Sequence, residues 1–177
     1  ACSGTADDAQ RVVVIGYPAA PFESGVRLPF AAQAVRSATV EGLVGFDEEG
    51  RASPAIAERW IVTDDGLSYI FRLRDGTWPD GSPITGESAA TALKGAIAAL
   101  RGTPLAADLS DIARIVVRTG RVVEIELARP SPDLLQLLAQ PELGLVWRGR
   151  GAGPMKLDRQ KRVAVLTPLP PEARGLP

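Results

Sequence analysis

The chain has 177 residues, enough for one good-sized domain or two small ones. Its 20 basic and 21 acidic residues nearly balance, so the concentrated basic face that nucleic-acid binding requires is not expected. The absence of histidine and the single cysteine, Cys2, exclude Ser-His and Cys-His catalysis, most zinc sites and an intrachain disulfide within these residues. No apolar run has the length of a transmembrane helix.

The N-terminal residues are small and polar and contain the motif Ala1-Cys2-Ser3-Gly4. This context is typical of a bacterial lipoprotein, with Ala1 as the last residue of a removed signal peptide and Cys2 as the lipid attachment site. The alternative is an incidental cysteine near a chain terminus.

Residues 11–16 form a continuous apolar run, which predicts a strand buried on both faces.

The next two segments are predicted to be an irregular surface segment and a helix. Residues 17–29 contain three prolines, which break regular structure. Residues 30–44 place apolar side chains at helical spacing, and residues 46–50 form a polar turn that is expected to close this helix.

The most strongly patterned stretch covers residues 57–88. An apolar strand at residues 60–62 is followed by Asp64-Asp65-Gly66, whose residue types tolerate the positive φ of a tight hairpin turn. The second strand then alternates apolar and polar side chains, with Ile70 as the single apolar residue on the polar face, and this pattern predicts one buried face. Its apolar set is Leu67, Tyr69, Phe71 and Leu73.

A loop with two Asp-Gly pairs and two prolines follows this hairpin. These residues favour consecutive turns, and Trp78 is predicted to anchor the loop in the core. Thr85 is predicted to cap a helix that runs to about Arg101, with Glu87 near the positive end of the helix dipole. The aspartates of this region, including Asp75 and Asp80, are interpreted as turn formers rather than as catalytic acids.

The second half is predicted to contain a second hairpin followed by shorter elements. A hairpin is predicted from residues 115–117 and 122–127, with Glu124 and Glu126 on a wet face. The elements expected after it are a short helix at residues 134–138, a strand at residues 143–147 and a glycine hinge at residues 148–154. Residues 155–166 are expected to form a return strand or a hairpin around Asp158-Arg159-Gln160.

Several ordered segments between residues 41 and 88 carry a family resemblance. They are Gly42-Leu43-Val44, Pro54-Ala55-Ile56-Ala57-Glu58-Arg59-Trp60, Asp65-Gly66-Leu67-Ser68-Tyr69, Phe71-Arg72-Leu73-Arg74-Asp75-Gly76, and Trp78 with Asp80-Gly81-Ser82-Pro83 and Thr85. This series resembles the signature of family 5 extracellular solute-binding proteins, the peptide, dipeptide and nickel receptors of ABC importers. Residues 151–157 resemble the family's Gly-Thr-Gly-Pro-Tyr return strand, from which Ala152 and Met155 depart.

The resemblance implies an α/β (α+β) fold, a mixed sheet with helices that forms part of the first lobe of a type II periplasmic-binding-protein architecture. It divides the chain into the start of the lobe core at residues 1–45, an inserted hairpin-and-helix subdomain at residues 46–150 and a return to the core at residues 151–177. Family members have two lobes and several hundred residues, so this chain corresponds to one portion of such a receptor.

The function implied by the resemblance is capture of a peptide or similar small solute for an ABC permease. The protein is expected to be a periplasmic or extracytoplasmic monomer, and a lipid on Cys2 is expected to anchor it to the membrane. No cofactor, metal or nucleic acid is expected. By position alone, the family's fold places Arg27, Leu28, Pro29 and Phe30 on the wall of the ligand cleft; the alternative is that they only cover the edge of the core. The rival functions are a stand-alone interaction or sensor module and an enzyme, and the missing histidine disfavours the enzyme.

Overall fold

The computed structural model describes residue 13, residues 17–23 and residues 27–170. Cys2 and, apart from Val13, the strand predicted at residues 11–16 lie outside the described residues. The helices are α1 (Phe30–Thr39), α2 (Gly86–Ala99), α3 (Pro104–Asp108) and α4 (Leu134–Leu138), with 3-10 turns at Ala20–Phe22 and Pro141–Leu143. None of the helices in these ranges is both long enough and apolar enough to cross a bilayer.

Among the described residues, the strands form one four-stranded sheet and three two-stranded ribbons. They are β1 (Val44–Phe46), β2 (Ala52–Pro54), β3 (Ala57–Val62), β4 (Ser68–Leu73), β5 (Ile112–Val117), β6 (Val122–Leu127), β7 (Val146–Trp147), β8 (Arg150–Gly151), β9 (Met155–Gln160) and β10 (Val163–Pro168). The large sheet has the order β3-β4-β6-β5, and every strand pair within the described ranges is antiparallel. The predicted α+β class is confirmed.

The two predicted hairpins are present and join along β4 and β6. Tyr69 pairs with Ile125 and Phe71 pairs with Val123, so the alternating apolar residues of both strands form one buried row. Cross-strand pairs of this kind are the main stabilising unit of an antiparallel sheet. The sequence alternation therefore fixed both the strands and the face of the sheet that carries the core.

Helix α2 covers the buried face of this sheet. Thr85 caps the helix as predicted: its hydroxyl accepts from the Ser88 backbone N–H at 3.2 Å, and the Ser88 hydroxyl accepts from the Thr85 N–H at 3.0 Å. Gly86 lies so near β5 that an added Cβ would stand 2.8 Å from Val117 Cγ1. Small residues at the start of α2 thus let the helix approach the sheet closely.

Helix α1 is shorter than predicted. It ends at Thr39 rather than near Val44, because Val40 is extended (φ −133°, ψ 137°). Glu41 then forms an isolated bridge with Leu145, and Val44 pairs with Pro54 in β1–β2. These pairings join residues that are distant in sequence. They keep residues 41–44 extended, although the apolar side chains there have helical spacing. The polar turn at residues 47–50 connects β1 to β2 instead of ending a helix.

The return hairpin is also displaced relative to the prediction. Asp158 lies inside β9 and pairs with Val165, and the turn falls at Lys161-Arg162, where Lys161 has φ 55°. Asp158 also forms an ion pair with Lys156 at 3.1 Å, two residues away on the same face of the strand. The aspartate therefore marks a strand position here, although its residue type favours turns.

Trp78 is buried, as predicted for the anchor of the loop before α2. Its side chain is 1% exposed, and its indole N–H donates to the Ser88 hydroxyl at 2.9 Å. The ring stacks on Trp147 with centroids 6.0 Å apart and an interplanar angle of 25°. One side chain thus connects the loop, the cap of α2 and strand β7.

Glu124 was predicted on the solvent-exposed face of the hairpin, and this prediction is wrong because Glu124 is only 9% exposed. The Ser68 hydroxyl donates to its carboxylate, and the Arg118 guanidinium donates to the same carboxylate at 2.5 Å. These neighbours cover the carboxylate and stabilise its charged form. Together they lower the pKa of Glu124, with the Ser68 hydrogen bond as the largest cause.

This arrangement makes part of the stability depend on pH. Because the folded pKa lies below the ordinary glutamate value of 4.5, the Glu124 contribution is fully present above that value and is lost as pH falls through the folded pKa. Glu124→Gln is expected to cost about 1.5–3 kcal/mol near neutral pH, the range for hydrogen bonds to charged groups, and to flatten the acid limb of a urea-unfolding series.

The matched control is Glu58→Gln, which removes an exposed pair with Arg72 at 3.8 Å. Exposed pairs contribute about 0–1 kcal/mol, so this change should leave the pH profile nearly as it is. An unchanged acid limb in the Glu124 variant would contradict the assignment.

Candidate functional site

The four residues predicted to form a cleft wall have different environments. Leu28 is buried at 7% exposure, and its carbonyl accepts from the Gln33 side-chain amide at 3.1 Å. Pro29 is the N-cap residue of α1, whereas Phe30, the first residue of that helix, is 73% exposed. Arg27 is also exposed. Arg27 and Phe30 are therefore the two most exposed members of the set, and Pro29 is half-buried.

Arg27 lies at the edge of a shallow groove of about 370 Å³. The other lining residues come from α3 and its N-cap, and from the end of α4 through the second 3-10 turn. Their side chains include Leu105, Asp108, Gln140 and Glu142. This groove combines one cation with two carboxylates, a composition suited to polar or zwitterionic groups.

A second groove of about 390 Å³ lies between α2 and strand β7. One wall is the outer face of α2, with Thr91, Gly95 and Ala99, and the other contains Val146 and Trp147. Arg36 from α1 and Arg148 from the β7–β8 turn also line it. It shares no lining residue with the groove at Arg27. Sequence reasoning missed this groove because its walls come from three separate segments.

The polar contacts around Trp147 explain how this wall is held. The Trp147 indole N–H donates to the Ser82 hydroxyl at 3.1 Å, and the Arg148 guanidinium carbon lies 5.5 Å from the Trp147 ring centroid. Arg148 also pairs with Asp80 at 3.2 Å. The two hydrogen bonds from Ser82 and the nearby Arg148 lower the pKa of Asp80.

The aspartates of the two loops act as the predicted turn formers. Asp80 accepts from the Ser82 backbone N–H at 3.0 Å, and Asp65 accepts from the Leu67 N–H at 3.0 Å. A carboxylate used in this way closes its own loop. Across the described part of the chain, no group of three or more metal-binding side chains could hold an ion.

Residues 51–161 match the model of the family described as Bacterial extracellular solute-binding proteins, family 5 Middle. The chain is similar to YgiS of Escherichia coli K12, named a probable deoxycholate-binding periplasmic protein, with 36% identity over 58% of this chain and 23% of YgiS. It is also similar to the glutathione-binding protein GsiB of Escherichia coli O1:K1 / APEC, with 26% identity over 71% of this chain and 27% of GsiB.

A solved structure has the same fold over most of the chain. It is the binding protein AgaA of A. tumefaciens R10 in complex with agropinic acid, with a TM-score of 0.65 and 25% identity over 77% of this chain and 31% of AgaA. The chain thus spans roughly a quarter to a third of the lengths of these three proteins. The family match covers more than half of the 177 residues. The chain belongs to the family 5 bacterial extracellular solute-binding proteins.

Proposed function

We propose that the chain is part of the extracytoplasmic solute-binding component of an ABC importer, and that it supplies one wall of a cleft for a peptide or similar small solute. The observation that carries this proposal is the family match over residues 51–161. It is supported by the shared fold with AgaA, whose structure contains a bound small molecule. The proposal includes a binding role and no catalytic one.

Capture of a small solute requires a pocket that buries most of the ligand surface. The two grooves described above are open on one side, which fits a wall rather than a complete pocket. Closure of a second lobe over this wall would exclude water, and the permease would recognise the closed form. In this proposal residues 46–150 form the inserted subdomain, and the core of the lobe surrounds it.

Within the wall, Phe30 and Arg27 are proposed as the contact residues. An exposed aromatic ring offers a large apolar surface with little loss of side-chain entropy on binding. Leu28 is proposed to fix the backbone beneath them, since it is buried and its carbonyl is hydrogen bonded to Gln33. Pro29 sets the start of α1, because its φ of −63° is fixed by the ring.

The function can be tested by disrupting the gene in its host and measuring uptake of labelled short peptides. Uptake is expected to fall and to return when the gene is supplied again. Phe30→Ala should restore uptake poorly at limiting peptide concentration, whereas Ile61→Ala should restore it fully. Ile61 is the matched control because it is 64% exposed and lies on β3, outside the proposed wall. If the disrupted strain kept its peptide uptake but lost a protein complex that contains this chain, the result would favour a stand-alone interaction module.

The proposed location is the extracytoplasmic face of the membrane, with a lipid on Cys2 as the anchor and the permease as the membrane partner. The support is the Ala1-Cys2-Ser3-Gly4 context. Intact mass and detergent partitioning of protein from native cells should show a lipid-modified cysteine in the detergent phase. An unmodified Cys2 in the aqueous phase would disprove the anchor without affecting the binding role.

A further inference from the structure

The groove between α2 and β7 is lined mainly by apolar residues, together with Thr91 and two arginines. Gly95 and Ala99 leave the surface of α2 open, and nothing lies within 4 Å of a Cβ placed on Gly95. Val146 and Trp147 form the facing wall. The volume of about 390 Å³ falls in the range of small-molecule sites, which is roughly 300–1,000 Å³.

The charged groups of this groove have one sign. Arg36 and Arg148 line it, and no aspartate or glutamate does so among the residues that the structure describes. Asp80 and Glu142 are the carboxylates that interact with these arginines, and neither lines the groove. A ligand in the groove would therefore meet cations and apolar surface together.

Both guanidinium groups keep unused hydrogen-bond donors. Arg36 donates through Nε to the Pro141 carbonyl at 2.6 Å, and Arg148 donates through Nη1 to Asp80 at 3.2 Å. A guanidinium group has five N–H donors, and the structure gives these two groups no other hydrogen-bond partner within its described ranges. Donors of this kind bind carboxylates more strongly than they bind neutral acceptors.

We propose that this groove is a second ligand site, which binds an amphipathic organic carboxylate: an apolar or aromatic body against Gly95, Val146 and Trp147, with its carboxylate at Arg36 or Arg148. The apolar walls together with the unused arginine donors favour amphipathic carboxylates over neutral apolar compounds and over cations. The site is separate from the wall at Arg27 and Phe30, so it does not depend on the proposed uptake function.

The probe pair for the test is 2-naphthoate and its neutral isostere 2-naphthamide. Each is titrated into the isotopically labelled chain while the backbone amide signals are followed by NMR. The naphthoate is expected to shift the signals of residues 91–99 and 144–148, and to bind about tenfold more tightly than the amide, a difference of ~1.4 kcal/mol.

Three variants locate the interaction. Arg36→Gln and Arg148→Asn should each reduce the preference for naphthoate over naphthamide; asparagine suits position 148 because Arg148 has φ 49°. Gly95→Leu should block both compounds, and leucine fits the open surface of α2 without loss of helix propensity. Equal binding of acid and amide, unchanged preference in both arginine variants, or shifts confined to other parts of the chain would each overturn the proposal.

Discussion

Gly153→Ala is expected to destabilise the chain by about 3 kcal/mol or more, at or above the upper end of the usual range for overpacking. An added Cβ would lie 2.2 Å from the Thr39 carbonyl carbon and 2.4 Å from the Val40 nitrogen. Both are backbone atoms, so no side-chain rotation can relieve the contact. The substitution would also displace the Gly153 N–H from the Thr39 carbonyl, to which it donates at 3.1 Å.

Gly95→Ala is the matched control, and its effect on stability should have the opposite sign. Its Cβ would meet nothing within 4 Å, and Gly95 lies inside α2. Alanine in a helix interior is favoured over glycine by roughly 0.5–1 kcal/mol, so this variant should be slightly more stable. Urea unfolding of both variants measures the difference. Equal stabilities would show that residues 151–153 do not pack against the end of α1 in this way.

Trp78→Ala is expected to cost about 3–5 kcal/mol, the range for truncating a buried aromatic side chain. The loss includes the packing of a fully buried ring, its stacking on Trp147 and the hydrogen bond to Ser88. A total stability of about 5–15 kcal/mol is typical of a domain, so this variant should be close to unfolding. Thermal unfolding followed by circular dichroism measures the shift.

Two companion variants separate the causes. Ser88→Ala keeps the Trp78 ring but leaves its buried N–H without an acceptor, which should cost about 1–3 kcal/mol, and the loss of the hydrogen bond from the Thr85 N–H adds to this cost. Trp60→Ala removes a ring that is only partly buried and lies 6.4 Å from Phe71, so it should cost less than Trp78→Ala. If Trp78→Ala kept its melting temperature and altered only ligand binding, Trp78 would be a ligand platform instead of a structural anchor.

Local patterns in the sequence predict the central hairpins and α2 well. The period-two spacing of Tyr69, Phe71 and Leu73 specifies a buried face, and Asp65-Gly66 specifies the turn before it. Thr85 and Ser88 specify the start of α2 through reciprocal hydrogen bonds. In each case the determining residues are close together in the chain, so the sequence contains the whole signal.

The parts that were predicted wrongly depend on distant partners. Helix α1 ends at Thr39 because Glu41 pairs with Leu145, a contact across most of the chain. Glu124 is covered because Ser68 on β4, which is distant in sequence, and Arg118 in the turn after β5 both donate to its carboxylate. No local pattern contains such information, since residue type alone favours an exposed glutamate.

The candidate site shows the same limit. Position along the chain suggested residues 27–30 as the wall of the ligand cleft. Only the fold shows that Leu28 is buried and Phe30 is exposed. The groove at α2 requires α1, α2 and β7 to be brought together, and the sequence between them gives no sign of this arrangement. Its aromatic wall was detectable only as a short strand ending at Trp147.

The central claim is that residues 1–177 fold but provide only one wall of a solute-binding cleft. Isothermal titration calorimetry of this chain against a library of short peptides tests the claim most directly. A single open wall leaves the ligand about half exposed, so dissociation constants no better than about millimolar are expected, or roughly 4 kcal/mol of binding free energy. A peptide that this chain alone binds with a micromolar dissociation constant would contradict the claim and would identify a self-sufficient binding module.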